Sequence, residues 1–130
     1  MSVTNRSIVN DAMRRLNLIG AGEDAADVEA TEGLRALNDM MMALPGQGIH
    51  AGWVSQTLAG TFPLEDRHIE GVKWMLVKKL ASTAGIVLSA EQRNNAEAGW
   101  LLLNADYRII EPLRLDSGLQ YLPSQRKWWR

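Results

Sequence analysis

Four stretches of the chain repeat apolar residues at spacings of three and four, the period of an α-helix, and glycine or proline punctuates each one. That pattern restricts the fold more than anything else in the sequence. The first stretch, 4–18, places Ile8, Ala12, Leu16 and Ile19 on one face and leaves Arg6, Asn10, Arg14 and Arg15 mostly for solvent, until Gly20-Ala21-Gly22 ends it. The second begins near Asp24 or Asp27 and runs to Leu44 before Pro45, with Ala30, Leu34, Leu37, Met41 and Leu44 inward. The third opens with Glu65 and Asp66, carries Ile69, Val72, Leu76 and Leu80 inward, and should stop at Gly85. Ser89 with Gln92 three residues on has the form of a capping box and starts a fourth helix, expected to reach Glu111 before Pro112.

The predicted fold is all-α: a four-helix bundle over 1–111 and an extended C-terminal tail over 112–130. Between the second and third helices the period vanishes. Gly46, Gly48, Gly52 and Gly60 alternate there with the short β-prone pieces 50–58 and 61–62, which predicts a long loop or a small β-hairpin over 46–63. An excursion of this length in so small a domain points to a functional role.

The fourth helix carries two apolar stripes. Ala96, Trp100, Leu103, Tyr107 and Ile110 can pack against the other helices, while Ala98, Leu102, Ala105 and Ile109 point roughly 100° or more away. Both faces need covering, and a four-helix domain has little interior to offer a helix apolar nearly all round. The tail has no helical period either. It ends Ser124-Gln125-Arg126-Lys127-Trp128-Trp129-Arg130, and these paired rings are expected to dock on another chain, the alternative being that they fold back on their own bundle.

Composition narrows the function. With 46% hydrophobic and 22% charged residues the chain has the make-up of a folded domain, far from the disordered regime. It has no cysteine, so disulfides and thiolate metal sites are out of reach, and a cytosolic folding environment is expected. No apolar run approaches the roughly 20 residues of a membrane span, and Met1-Ser2-Val3-Thr4-Asn5-Arg6 lacks the form of a secretion leader. The formal net charge of -1 argues against a free-standing nucleic-acid binder. Five tryptophans against one phenylalanine and two tyrosines suggest partner surfaces.

No catalytic pattern emerges. His50 and His68 stand apart without an HExxH or a nearby carboxylate pattern, which favours surface or structural roles. Gly46-Gln47-Gly48 lacks the context of a phosphate cradle. Asp24, Asp27, Glu29 and Glu32 could supply an acid/base pair across a cleft, but dipole stabilisation at a helix start accounts for them without a substrate. The turn at 16–22 has the length of a helix-turn-helix, yet the helix after it begins with acidic residues that would repel phosphates. Of Met40-Met41-Met42, Met41 falls on the inward stripe and its two neighbours flank it.

Taken together, Asn10-Asp11-Ala12-Met13-Arg14-Arg15-Leu16-Asn17-Leu18-Ile19-Gly20 and Glu29-Ala30 with Leu34-Arg35-Ala36-Leu37-Asn38-Asp39-Met40-Met41 resemble the head-to-tail adaptor family of tailed phages, of the podovirus type. These proteins are also called head-completion, tail-accessory or packaged-DNA-stabilisation proteins. The resemblance extends through the glycine-rich excursion, Phe62-Pro63-Leu64, 81–87 and 89–107. Its motifs are packing patterns, and it is most specific over 30–40.

The resemblance implies a virion protein of the head-tail junction, made in the host cytoplasm. It implies a homo-oligomeric ring, commonly a dodecamer of about 12 subunits, that binds the portal protein after DNA packaging. Such a ring closes or extends the channel over packaged DNA without sequence specificity and gives the next tail or nozzle protein a platform. On this reading Ala98, Leu102, Ala105 and Ile109 face the adjacent subunit, and Tyr121, Leu122, Arg126, Lys127, Trp128, Trp129 and Arg130 dock on the portal. No catalytic residue, cofactor, metal or membrane enters it. The competing readings are a small helical DNA-binding regulator, which would need a basic face, and a cell-wall hydrolase, which would need paired groups in a pocket.

Overall fold

A computed structural model describes residues 3–108. Its elements are α1 (Asn5–Arg15), α2 (Asp27–Met42), α3 (Ile69–Ala84) and α4 (Ala90–Tyr107), with one 3-10 turn at Leu44–Gln47 after α2 and another at Asp66–His68 leading into α3. Among the described residues no strand forms, so the chain is all-α there.

Local chemistry fixes most helix ends. Thr4 Oγ1 accepts from the Ser7 N–H at 3.2 Å and caps α1. At α4 both halves of the capping box are made, Ser89 Oγ accepting from the Gln92 N–H and Gln92 Oε1 from the Ser89 N–H. Gly85 closes α3 in the left-handed conformation, φ 72°, where a side chain would be strained. Without a side-chain cap, α2 relies on Asp27 and Glu29 in its first turn.

At the centre stands α3, which packs on α1, α2 and α4. Val72, Leu76 and Val77 are fully buried and Met75 and Ala81 nearly so, a wider buried arc than the expected stripe, while Ile69 and Leu80 stay half-buried. The interior of this small domain therefore belongs to α3, and α4 lies on its flank. In α2 the buried positions are Ala30, Gly33, Leu37 and Met41, with Leu34 half-buried. Gly33 takes the inward place because Val9 of α1 comes so near that a β-carbon would sit 2.4 Å from its Cγ1. The closest helix approach is between α3 and α4. A β-carbon at Gly99 would lie 2.5 Å from the Gly71 carbonyl oxygen and 2.6 Å from its Cα.

The excursion is held by two asparagines. Asn38 Oδ1 accepts from the Gln56 N–H at 2.9 Å and from Trp53 Nε1 at 3.1 Å, and its Nδ2 donates to the Gln56 carbonyl at 3.1 Å. Asn5, fully buried, donates from Nδ2 to the Thr57 carbonyl at 2.9 Å. The first N–H groups of α1, which no helical carbonyl can satisfy, are met by the same loop: Asn5 N–H donates to Gly60 and Arg6 N–H to Leu58. The segment carries isolated bridges, Thr61 to Thr4 and Ile49 to Arg108, and no hairpin ladder.

Two expectations need correction. Asn10 is buried, not solvent-facing, because its amide accepts from the Ala25 N–H at 3.1 Å and donates to Asp24 at 3.3 Å, tying the connection to α1. The fourth helix ends at Tyr107, short of Glu111. His50 N–H takes the Tyr107 carbonyl at 2.9 Å and Arg108 turns extended, ψ 128°, to bridge to Ile49.

Candidate assembly surfaces

The inward face of α4 is Ala96, Gly99 and Leu103, all buried, with Trp100 and Tyr107 half-buried beside them. Part of the outward face is apolar, between polar positions such as Asn94 and Glu97. Ala98 and Ala105 are exposed and Leu102 is 36% exposed, as their spacing implies, and Leu101 joins them at 50%. Positions 98, 101, 102 and 105 form one stripe at helical spacing. Leu101 was missed in the sequence because it falls between the two stripes that periodicity separates.

Next to this stripe opens a cleft of about 550 Å³ between the C-terminal ends of α2 and α3 and the middle of α4. Met40, Leu44 and Met75 form an apolar floor, Lys78 and Lys79 stand on the α3 wall, and Glu97 and Trp100 form the α4 wall. Trp100 Nε1 donates to Gln47 Oε1 at 2.7 Å, which fixes the indole at the rim. Among the described residues neither lysine reaches a carboxylate within ion-pair distance, whereas Lys73, one turn earlier, does. The central methionine of the triplet, Met41, is fully buried; Met40 faces the cleft and Met42 is 54% exposed.

On the opposite side, α1 and α3 are joined by charge. Lys73 Nζ lies 2.6 Å from Asp11 Oδ2, and Arg14 lies 2.8 Å from both Asp11 and Asp24. Burial pushes the Asp11 carboxyl up, but hydrogen bonds and charge from Lys73 and Arg14 outweigh it and hold Asp11 below the usual carboxylate range. Arg15 pairs with Glu70 at 2.9 Å while its guanidinium sits 4.6 Å above the Trp74 ring. These contacts join elements of the fold.

The histidines separate as well. His50 is exposed; His68 is buried, its Nε2 2.7 Å from Asp106 Oδ2 and its ring 5.3 Å from that of Tyr107. Arg67 also binds Asp106, and its hydrogen bond and charge keep that carboxyl below the ordinary range. The turn before α3 thus grips the last turn of α4. Burial, with Glu65 and Asp106 nearby, raises the Tyr107 hydroxyl above its ordinary value.

The four clustered carboxylates do not converge. Asp24 is held by Arg14 and Asn10, Asp27 pairs with Arg6 at 2.9 Å, Glu32 approaches Arg35 at 3.7 Å, and Glu29 is exposed. Among the described residues no group of three or more His, Asp or Glu gathers at metal-binding distance, and no helix is long and apolar enough to cross a membrane. Ile109, Ile110 and the tail residues Tyr121, Leu122, Arg126, Lys127, Trp128, Trp129 and Arg130 lie outside the described residues. Compared with known protein families and with curated proteins, the chain shows no match.

Proposed function

We propose that this chain is a structural subunit of a phage head-to-tail connector, a four-helix bundle that assembles side by side into a ring on the portal and supports the next tail component. The resemblance over 10–41 supplies the phage context. The structural observation that supports it is the apolar stripe along α4, four residues at positions 98, 101, 102 and 105 with leucines 50% and 36% exposed, on a helix whose other face already fills the core. Isolated apolar side chains are ordinary on a surface, but a continuous stripe marks a contact with another chain.

No catalysis is assigned to the chain on this proposal: the ion pairs around Asp11, Asp24 and Glu70 join helices to one another. The test is Leu101→Glu with Leu102→Glu. This pair should abolish ring formation on the portal while helical content by circular dichroism stays at the wild-type level. Rings that form as readily with both carboxylates on the stripe would overturn the assignment of α4 to the subunit contact.

A further inference from the structure

We propose that the Lys78–Lys79 cleft receives the N-terminal end of α2 from a second copy of this chain. The contact rests on the ring reading above and specifies its geometry: head-to-tail, with different surfaces meeting. Lys78 and Lys79 stand beside an apolar floor of Met40, Leu44 and Met75, and no carboxylate among the described residues, Glu97 on the facing wall included, lies within ion-pair distance of them. A complementary occupant brings acidic groups and an apolar side chain together.

The start of α2 does so. Val28 is 76% exposed, Glu29 is exposed and without an ion pair among the described residues, and Glu32, one turn on, is held only by Arg35 at 3.7 Å. An exposed valine beside two carboxylates on a helix end is complementary to an apolar floor beside two lysines. It cannot be the chain's own α2. Met40, at the other end of the same rigid helix, lines the cleft, and the 12 residues from Val28 to Met40 span about 18 Å at the rise of an α-helix.

Glu97 on the facing wall refines the orientation. It repels an anion lying across the whole cleft, so the incoming carboxylates are confined to the α3 side and Val28 to the floor. The same carboxylate makes the cleft a poor match for the continuous phosphates of nucleic acid. One turn further along α4 from Glu97 stands Leu101, so a neighbour seated here also covers the beginning of the exposed stripe. Because the two surfaces differ, the contact is heterologous and repeats into a ring when its rotation closes.

A charge swap on the full-length chain tests this, read by sedimentation velocity over a concentration series in the absence of portal. Lys78→Glu with Lys79→Glu, and separately Glu29→Lys with Glu32→Lys, should each weaken self-association about 10-fold or more. An equimolar mixture of the two variants should recover it, since every cleft again meets a knob of opposite charge. Wild-type association by both variants, a mixture no better than its parts, or a wild-type chain monomeric throughout would overturn the proposal. So would loss of duplex-DNA retention by the cleft variant with self-association unchanged, which would make the cleft a phosphate site.

Should either charge variant fold poorly, the absence of native cysteine offers a second route. Val28→Cys with Ser82→Cys in one chain should give a ladder of disulfide-linked oligomers on oxidation, and monomers alone would again overturn the contact. Portal attachment is measured apart. Portal binding with a failed swap removes this contact and leaves the connector reading; a successful swap without portal binding does the reverse.

Discussion

Replacing Gly99 by alanine tests the packing of α4 through the sign of its effect. In a helix with free space at that position, alanine stabilises by about 1 kcal/mol because it restricts the unfolded backbone. Here the new methyl would meet Gly71 backbone at 2.5 to 2.7 Å, against an ordinary contact distance of 3.4 Å or more. Backbone cannot rotate out of the way as a side chain does, so α3 and α4 must separate by about 1 Å. A gap of that width forfeits roughly a quarter to a half of the dispersion energy of each atom pair along it, and it runs beside Val72, Leu76 and Leu103. Overpacking of this kind costs about 2 to 3 kcal/mol at its upper end. Set against the helix-propensity gain, the net is a loss of about 1 to 2 kcal/mol, or roughly 4 to 8 °C in Tm for a domain of this size. Urea unfolding followed at 222 nm, at concentrations low enough that association does not contribute, measures it. A variant more stable than the parent by about 1 kcal/mol would refute the close crossing.

Other consequences concern the loop and the ion pairs. Asn38→Leu removes three hydrogen bonds to Trp53 and Gln56 and leaves two donors and one acceptor unpaired, so the loop should be cleaved faster by protease and stability should fall by about 2 kcal/mol; an unchanged cleavage rate would show that the loop is held elsewhere. The lowered Asp11 pKa sets a pH dependence: its contribution is complete above the ordinary value of 3.8 and is lost as pH falls through the depressed folded value. Asp11→Asn should therefore lower stability at neutral pH, and its difference from the parent should shrink in acid below pH 3.8; a difference constant across this range would contradict the pairing with Lys73 and Arg14.

What the sequence revealed in advance is what local chemistry controls. Ser89 with Gln92, Gly85 and Pro45 act within a turn or two of where they stand, and the inward faces at Ile8, Leu37, Leu76 and Leu103 follow from period alone. The hidden part depends on which elements meet. A glycine inside a helix signals close approach, but nothing at Gly71 identifies Gly99 as its neighbour. Asn5, Asn10 and Asn38 look like solvent-facing polar residues, yet each feeds hydrogen bonds to a loop whose path only the fold defines. The outward stripe of α4 was legible as an excess of apolar positions, whereas the cleft beside it draws on three helices and left no linear trace.

The proposed ring on a portal is open to direct imaging. Purified full-length chain is mixed with intact phage portal rings and imaged by cryo-electron microscopy. The expected result is an added ring of density on one end of the portal, with α4 of each subunit turned toward its neighbour. Portals that remain bare while the chain stays monomeric in solution would contradict it.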